Sequence, residues 1–238
     1  MTRISQAYSD RVAVRGRDLA GDLMGRLSFT EYFHLLLTGE ESSEEQRYFL
    51  DLLLVSIAEH GLMPTNVAAR MTLAADPESL QGAVAAGILG CGPVILGTSE
   101  ECARLLVSDR EPLDLVRRLH AAGEKVPGFG HPVHKPLDPR AERILELADE
   151  REVSGVHVAR ARAFRDAVHG VWGTPLTMNV SMPIAAVMLD LGFAVTAVKA
   201  VPILARTAGL LAHLVEEQER PIGLALAAAA EEVVAYER

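Results

Sequence analysis

The apolar positions of this chain recur at helical spacing along almost its whole length. Between residues 29 and 37, phenylalanine and leucine return three and four residues apart, and Gly39 follows where a helix commonly ends. Similar patterns predict further helices over residues 43–60, 65–75, 81–90, 100–108, 112–122, 139–150, 156–169, 179–191, 196–217 and 221–236. No segment alternates apolar and polar residues between hairpin turns. We therefore predict an all-α fold, with an irregular, charged lead-in over residues 1–27.

Several predicted helices begin with a capping signal. Residues 28–31 read Ser-Phe-Thr-Glu and residues 43–46 read Ser-Glu-Glu-Gln, both of which fit the capping box. Residues 138–139 are Asp-Pro, an N-cap followed by proline at the first helical position. Residues 76–77 are also Asp-Pro, so we expect a helix to begin there as well.

The stretch 126–143 interrupts the helical pattern. It reads Val-Pro-Gly-Phe-Gly-His-Pro-Val-His-Lys-Pro-Leu-Asp-Pro-Arg-Ala-Glu-Arg. Gly128 and Gly130 allow the backbone to take positive φ or to approach a ligand closely. His131 follows at once, and Arg140 falls in the first turn of the next helix. An imidazole and a guanidinium held near each other suit a ligand that has a carbonyl and a carboxylate.

Composition narrows the possible classes of protein. The chain has 238 residues, 49% of them apolar, and a formal net charge of −9, which argue against disorder and against a nucleic-acid surface. Residues 125–143 are nevertheless locally basic, which is consistent with a small anionic ligand. Two cysteines give no disulfide framework, and the first ten residues lack a signal-peptide apolar region, so we expect a cytoplasmic protein.

Two other features have alternative interpretations. Residues 81–98 are apolar and near the lower length limit for a membrane span, but they are rich in glycine, contain Pro93 and lack flanking basic anchors. We interpret them as a buried helix and expect no membrane span. His131 and His134 could form a metal pair, but no further ligand has suitable spacing, so we predict no metal.

These residues together resemble the citrate synthase family, most closely its short citryl-CoA lyases. The matching pattern is Gly-x-Gly-His ending at His131, Lys135 four positions on, and Asp-Pro-Arg ending at Arg140. Residues 35–40, Leu-Leu-Leu-Thr-Gly-Glu, and a short Arg-Gly pair at residues 15–16 extend the likeness. The resemblance implies a homodimer or larger assembly. It also implies a large helical domain, 1–98 and 194–238, and a smaller inserted domain, 99–193, that carries the loop.

The resemblance also implies roles for individual residues. His131 would donate to the keto or hydroxyl oxygen of a substrate. Four residues would bind the carboxylates of the acid, the last of them from across a dimer interface: His60, Arg140, Arg206 and Arg220. Coenzyme A would meet the backbone of Val126, Pro127, Gly128, Phe129 and Gly130, with Lys135 near a phosphate. Without the resemblance, His60 could be a helix C-terminal cap and Arg206 could extend its charged end to the surface.

Two departures from the family pattern bear on catalysis. Residues 92–97 lack the histidine of the family's Gly-Pro-x-His-Gly turn, a loss that the short lyases share. Ser181 stands where relatives have the catalytic aspartate of Asn-Val-Asp-Gly, and a hydroxyl is a poor base without an activating partner. His169 or Asp190 would be alternative bases if turnover were high.

Two hypotheses follow from the pattern and its departures. The first is an enzyme that makes or cleaves a carbon–carbon bond between an acyl-CoA and a 2-oxo dicarboxylate such as oxaloacetate. The second is a paralogue that binds coenzyme A and a dicarboxylate with little or no turnover, because of Ser181. A helical interaction protein is a further alternative, which the basic loop disfavours.

Overall fold

The computed structural model describes residues 1–237, and the fold is mainly helical, as predicted. Twelve α-helices follow one another in the described chain: α1 Phe29–Thr38, α2 Glu44–Ala58, α3 Pro64–Ala75, α4 Leu80–Leu89, α5 Thr98–Leu106, α6 Pro112–Ala121, α7 Pro139–Glu150, α8 Val156–Trp172, α9 Ser181–Asp190, α10 Val195–Val198, α11 Ala200–Glu219 and α12 Gly223–Val233.

The N-terminal segment differs from the irregular lead-in that we predicted. Strands β1 (Ser5–Ala7), β2 (Val12–Val14) and β3 (Arg17–Asp18) form a small antiparallel sheet, and a π-helical turn follows at Leu19–Leu23. Arg15 and Gly16, with φ of 50° and 83°, make the tight turn between β2 and β3. Strands of two or three residues are too short to show an alternating pattern, which is why the sequence did not reveal them.

The predicted capping boxes are present, and one predicted helix start is wrong. The Ser28 hydroxyl accepts the Glu31 N–H while the Glu31 carboxylate accepts the Ser28 N–H, and α2 begins in the same way. Asp76, however, ends α3, because its N–H still donates to the Thr72 carbonyl. The next helix begins only at Leu80.

The core is built around α9, where every residue of 181–189 is buried. Helices α5, α7 and α8 pack against α9, while α11 packs against α2, α3 and α4. The largest apolar cluster joins α2 to the helices of residues 99–193 and reaches α11. Because this cluster includes residues from both sides of the predicted boundaries, it does not separate an inserted domain from an enclosing one. The division into two domains stays a prediction.

One helical stretch, 195–219, is long and apolar enough to cross a membrane by length and composition alone. It buries the charged side chains of Arg206 and Glu217, which contact Asn66 and Arg70 of α3. We interpret it as a core helix. The stretch 81–98 forms only the ten-residue α4 and a turn that leads into α5.

Candidate active site

Six of the predicted site residues, Gly130 among them, line a single cleft of about 160 Å³. His60 follows the end of α2, His131 lies on the 126–131 loop, and Arg206 projects from α11. Arg140 and Ser181 lie in the first turns of α7 and α9, so two helix N-termini face the cleft. The partial positive charge of helix N-termini favours an anion there.

The loop that carries His131 is fixed to the segment before α9. The Gly130 N–H donates to the Thr177 carbonyl at 2.7 Å, and the Asn179 N–H donates to the Gly128 carbonyl at 2.8 Å. The Asn179 side-chain amide donates to the Gly130 carbonyl at 3.1 Å. Both glycines have positive φ, as predicted. These bonds occupy part of the loop backbone, so only its remaining groups are free for a ligand.

The proton of His131 is assigned by its backbone contacts. The N–H groups of Val133 and His134 both donate to Nδ1 of His131, at 3.1 and 2.8 Å. Because Nδ1 is an acceptor, the neutral imidazole carries its proton on Nε2. Burial, followed by the neighbouring His134, lowers the pKa of His131 and favours this neutral form. His131 is therefore a hydrogen-bond donor to the cleft.

Arg140 is held by the aspartate of its own Asp-Pro-Arg motif. Asp138 is fully buried and accepts from Nε and Nη2 of Arg140, at 3.0 and 2.8 Å, and from the Val180 N–H at 3.1 Å. Burial opposes ionisation of Asp138, but hydrogen bonds and charge from Arg140 outweigh it and hold the pKa of this carboxyl below its usual range. Nη2 of Arg140 lies 3.5 Å from Nε2 of His131. Both groups are donors, so they converge on one acceptor position.

Arg206 is a buried cation without a carboxylate partner in the described chain. It is 3% exposed, donates to the Asn66 side-chain oxygen at 3.1 Å and more weakly to the Ile57 carbonyl at 3.4 Å, and its Nε is unpartnered. Burial lowers the pKa of Arg206. Leaving a buried guanidinium unpaired is costly, which indicates that an anionic ligand completes it. The burial of Arg206 excludes the alternative interpretation in which its charged end reaches the surface.

Three imidazoles meet beside the cleft, although only two belong to one sequence motif. Nε2 of His60 lies 3.0 Å from Nε2 of His134, and the rings of His131 and His134 stack at 4.4 Å. Sequence spacing gave no third ligand to accompany His131 and His134, but in the structure the ligand atoms of the three histidines lie within 4.8 Å of one another. Nδ1 of His131 is, however, committed to backbone donors, and a metal on Nε2 would require a proton at Nδ1. The geometry therefore disfavours a three-histidine metal site.

Ser181 is the first residue of α9 and is 7% exposed. Its N–H donates to the Asn179 side-chain oxygen at 3.1 Å. No aspartate or glutamate lines this cleft within residues 1–237. Asp190, an alternative base in our sequence interpretation, instead caps α8 by accepting the N–H groups of residues 155, 157 and 158. His169, the other alternative, lies on α8 and does not line the cleft.

A second cleft adjoins the first at Gly130 and His131 and has a volume of about 470 Å³. Exposed Lys135 lines it, together with Pro136 and residues 175–177. Val126, Gly128 and Phe129 are buried, whereas Pro127 is half-buried and Gly130 is exposed. Arg220 is exposed at the end of α11 and lines neither cleft of this chain. Its predicted role across a dimer interface stays a prediction.

Three residues that sequence reasoning missed shape the site. Asp138 was predicted only as a helix cap, although its place in Asp-Pro-Arg could have indicated the clamp on Arg140. Asn66 orients Arg206 from α3, and His134 pairs with His60 across 74 positions. No local sequence signal identifies either of the last two contacts.

Comparison with known proteins gives the family. The profile described as "Citrate synthase, C-terminal domain" matches residues 3–223. The fold is similar to a solved citryl-CoA lyase from Hydrogenobacter thermophilus, with a TM-score of 0.89 and 31% identity over 100% of this chain and 94% of that one. It is also similar to an ATP citrate lyase from Methanothrix soehngenii in complex with citrate and coenzyme A, with a TM-score of 0.85 and 21% identity over 100% of this chain and 41% of that one.

Among curated proteins, the chain is 27% identical to the citrate synthase of Heyndrickxia coagulans, over 81% of this chain and 53% of that protein. The chain thus spans about half the length of the curated relatives it matches. The profile match and the likeness to the citryl-CoA lyase show that the chain belongs to the citrate synthase family.

Proposed function

We propose that this protein makes or cleaves a carbon–carbon bond between an acyl-CoA and a 2-oxo dicarboxylate such as oxaloacetate, as a citryl-CoA lyase-like or citrate synthase-like enzyme. The likeness to the Hydrogenobacter citryl-CoA lyase over nearly the whole of both chains supports the lyase direction. Coenzyme A, as its thioester, would be a substrate, and the reaction needs no redox step.

The convergence of donors on the cleft is the observation that carries this proposal. His131 presents an N–H, Arg140 lies beside it, and Arg206 is a buried cation that lacks a carboxylate partner. Because Asp138 already neutralises Arg140, the unpaired charge of the cleft is that of Arg206 together with two helix N-termini. A ligand with two carboxylates and one carbonyl or hydroxyl oxygen satisfies these donors.

The proposal gives each of these groups a role in the reaction. Charge develops on the oxygen that is hydroxyl in the citryl thioester and keto in the free acid. The Nε2–H of His131 and the nearby guanidinium of Arg140 would stabilise that charge, since fixed donors aimed at a developing oxyanion lower the barrier. Arg206 would hold a carboxylate and so align the reacting carbon atoms.

The adjoining cleft would take the thioester. It opens from the shared residues Gly130 and His131 toward Lys135, an exposed cation suited to a phosphate. The reactive end of an acyl-CoA placed there would meet the acid at His131. The free backbone groups of residues 126–130 would contact the adenine.

The oligomeric state also belongs to this proposal. Helix α4 is apolar and rich in small residues, and its outward side is exposed, with Leu89 at 86%. A second copy of the chain would cover this face and could bring Arg220 to the neighbouring site. Light scattering at micromolar concentration should report a dimer or a larger assembly, and a monomer would contradict the prediction.

The second candidate is a protein that binds coenzyme A and a dicarboxylate with little or no turnover. The specific observation in its favour is the absence of a carboxylate among the cleft residues of the described chain, with Ser181 in place of aspartate. Its ligands are the same as those of the enzyme. Only turnover distinguishes the two candidates.

The decisive experiment is a panel of CoA thioesters and 2-oxo acids, measured for binding and for turnover. A thermal shift should occur with oxaloacetate or citrate and with acetyl-CoA, because ligands that prefer the folded state stabilise it. Release of coenzyme A, or cleavage of citryl-CoA, would support the enzyme. Binding without turnover would favour the second candidate, and a lack of binding across the panel would refute both.

A further inference from the structure

The contact between His60 and His134 beside the cleft suggests which residue takes the place of the missing aspartate base. A thioester must lose an α-proton before its carbon can attack a keto group, so condensation needs a proton acceptor in the cleft. Ser181 cannot act alone, and Asp138 is fully committed to Arg140 and to the backbone of Val180. The remaining lining residues that can accept a proton near neutral pH are His60 and His131.

The contacts of the two histidines separate their roles. Nδ1 of His131 accepts two backbone N–H groups, so its free nitrogen is a donor and not a base. Nε2 of His60 is engaged with Nε2 of His134 at 3.0 Å, and no atom of residues 1–237 bonds to Nδ1 of His60. With the shared proton on Nε2 of His60, Nδ1 has a free lone pair.

From this arrangement we infer that His60 is the base of the cleft and that His134 takes the proton which His60 passes on. This inference rests on the proposed function, and it names a catalytic residue and a positioning and relay partner for that same site. In a protein with serine at position 181, His60 would then be the base in place of the aspartate that relatives have.

The proton transfer balances in atoms and charge. The C–H bond of the thioester α-carbon breaks, its proton joins Nδ1 of His60, and its electron pair forms the enolate. The proton on Nε2 of His60 moves along the 3.0 Å contact to Nε2 of His134. The positive charge then rests on His134, which does not line the cleft. Protonation of the thioester enolate in the cleavage direction is the reverse sequence.

The surrounding charges favour this relay over a lone histidine. Six titratable or charged groups lie around His60: Glu59, His131, His134, Asp138, Arg140 and Arg206. Burial lowers the pKa of His60, and the cation of Arg140 lowers it further, so His60 is neutral and ready to accept a proton. An imidazolium at His60 would lie near the two guanidiniums of Arg140 and Arg206, whereas His134 does not line the cleft.

The test follows exchange of the methyl protons of acetyl-CoA in D₂O, with malate bound as an unreactive dicarboxylate. His60→Gln should slow exchange by about 10²-fold or more, the usual effect of losing a general base. His134→Gln should also slow exchange at saturating malate and should move the acid limb of the pH profile to higher pH, because it removes a neighbour that lowers the pKa of His60. His169→Gln, a matched histidine outside both clefts, should leave exchange unchanged.

A double-variant cycle separates a relay from a structural effect. Aspartate at position 181 supplies the carboxylate that relatives have, so His134→Gln in a Ser181→Asp background should no longer slow exchange. His134→Asn, with circular dichroism and thermal unfolding of each variant, guards against a general loss of fold. Unchanged exchange in His60→Gln, an unmoved pH profile in His134→Gln, or an equal loss in both backgrounds would overturn the inference.

The same experiment distinguishes failure of the inference from failure of the proposed function. If wild-type protein binds neither acetyl-CoA nor malate by thermal shift, the proposed function fails. If it binds both but exchanges no protons, the relay is overturned while the binding candidate stands. If it exchanges protons with unchanged rates in both histidine variants, the function stands and another base is present.

Discussion

Replacing Arg206 with methionine should weaken acid binding without destabilising the ligand-free protein. The Arg206 side chain is buried with no carboxylate partner in the described chain, so its removal takes away an uncompensated cation. Methionine fills much of the same volume, and apolar replacement of a buried charge is often neutral or stabilising. The lost hydrogen bond to Asn66 costs about 1 kcal/mol. The free energy of unfolding should therefore change little or rise.

The affinity for a dicarboxylate should fall steeply in the same variant. Truncating one partner of a buried charged hydrogen-bonded pair costs about 2–5 kcal/mol, which is roughly 30- to 4000-fold in Kd. Calorimetric titration with oxaloacetate or citrate measures this loss. Urea unfolding without ligand measures stability, and added ligand should stabilise the wild type far more than the variant.

Arg70 gives the matched control on the same pair of helices. It is as buried as Arg206, but it contacts Glu216, donates to Glu217 at 2.9 Å and bonds to His213. Arg70→Met leaves the buried carboxylate of Glu217 unpaired and should destabilise the protein by about 3–5 kcal/mol. If Arg206→Met instead destabilised as much as Arg70→Met and left acid affinity unchanged, Arg206 would be structural and our reasoning wrong.

Five further substitutions test other parts of the site. In a His60→Gln background, which lacks the inferred base, Ser181→Asp should raise turnover with acetyl-CoA and oxaloacetate by about 10²–10⁴-fold. Met182→Gly, by contrast, should cost about 2–5 kcal/mol in urea unfolding, because Met182 is fully buried. Gly128→Ala should destabilise the protein by about 1–3 kcal/mol, because the added Cβ would lie 2.8 Å from the sulfur of Cys102 and 2.9 Å from Met182, at a φ of +83°. At Gly130 no atom lies within 4 Å of an added Cβ, so Gly130→Ala should cost only the strain of its positive φ. The lowered pKa of Asp138 means that its contribution to stability is present above about pH 4 and is lost as pH falls through the folded-state pKa; pH-dependent unfolding of Asp138→Asn should lack this loss.

The burial of Met182 decides which variant is the better one for placing a carboxylate at position 181. Relatives have glycine after the aspartate. From the sequence alone, one would therefore change Ser181 to aspartate and Met182 to glycine together. In the structure, the Met182 side chain packs where a Cβ on Gly128 would lie. Glycine at 182 would therefore open a cavity beneath the loop that carries His131. The single change at Ser181 is the cleaner test.

Local signals in the sequence predicted most of the fold. A capping box needs only two residues three positions apart, and the apolar period of a helix repeats within one or two turns, so α1 and α2 could be bounded closely. The error at Asp76 arose because the same Asp-Pro pair can end one helix as well as start another. The strands β1 to β3 were missed because each is shorter than the pattern that would identify it.

The site was only partly predictable, because some of its contacts join distant parts of the chain. His131, Arg140 and Arg206 were placed by a motif resemblance, and the structure does bring them to one cleft. The contact of His60 with His134 depends on how the end of α2 meets a loop 74 positions away. The same limit applies to Arg206, since its lack of a carboxylate partner follows from packing against α3 and not from its neighbours in sequence.

The exchange of aspartate for serine at position 181 affects ligand binding as well as proton transfer. A carboxylate at Ser181 would sit in the same cleft as the acid and repel it. At a separation of about 6 Å and an effective dielectric constant of about 20, this repulsion is roughly 2–3 kcal/mol. The helix N-terminus at residue 181 would offset about 0.3–1 kcal/mol of it. Wild-type protein should therefore bind a dicarboxylate about tenfold or more tightly than Ser181→Asp, even though the variant has the carboxylate of its relatives. Tighter binding of the ground state does not raise the rate of the chemical step. Equal affinities in calorimetric titrations of the two proteins would place residue 181 too far from the bound acid to repel it, and the reasoning about this position would be wrong.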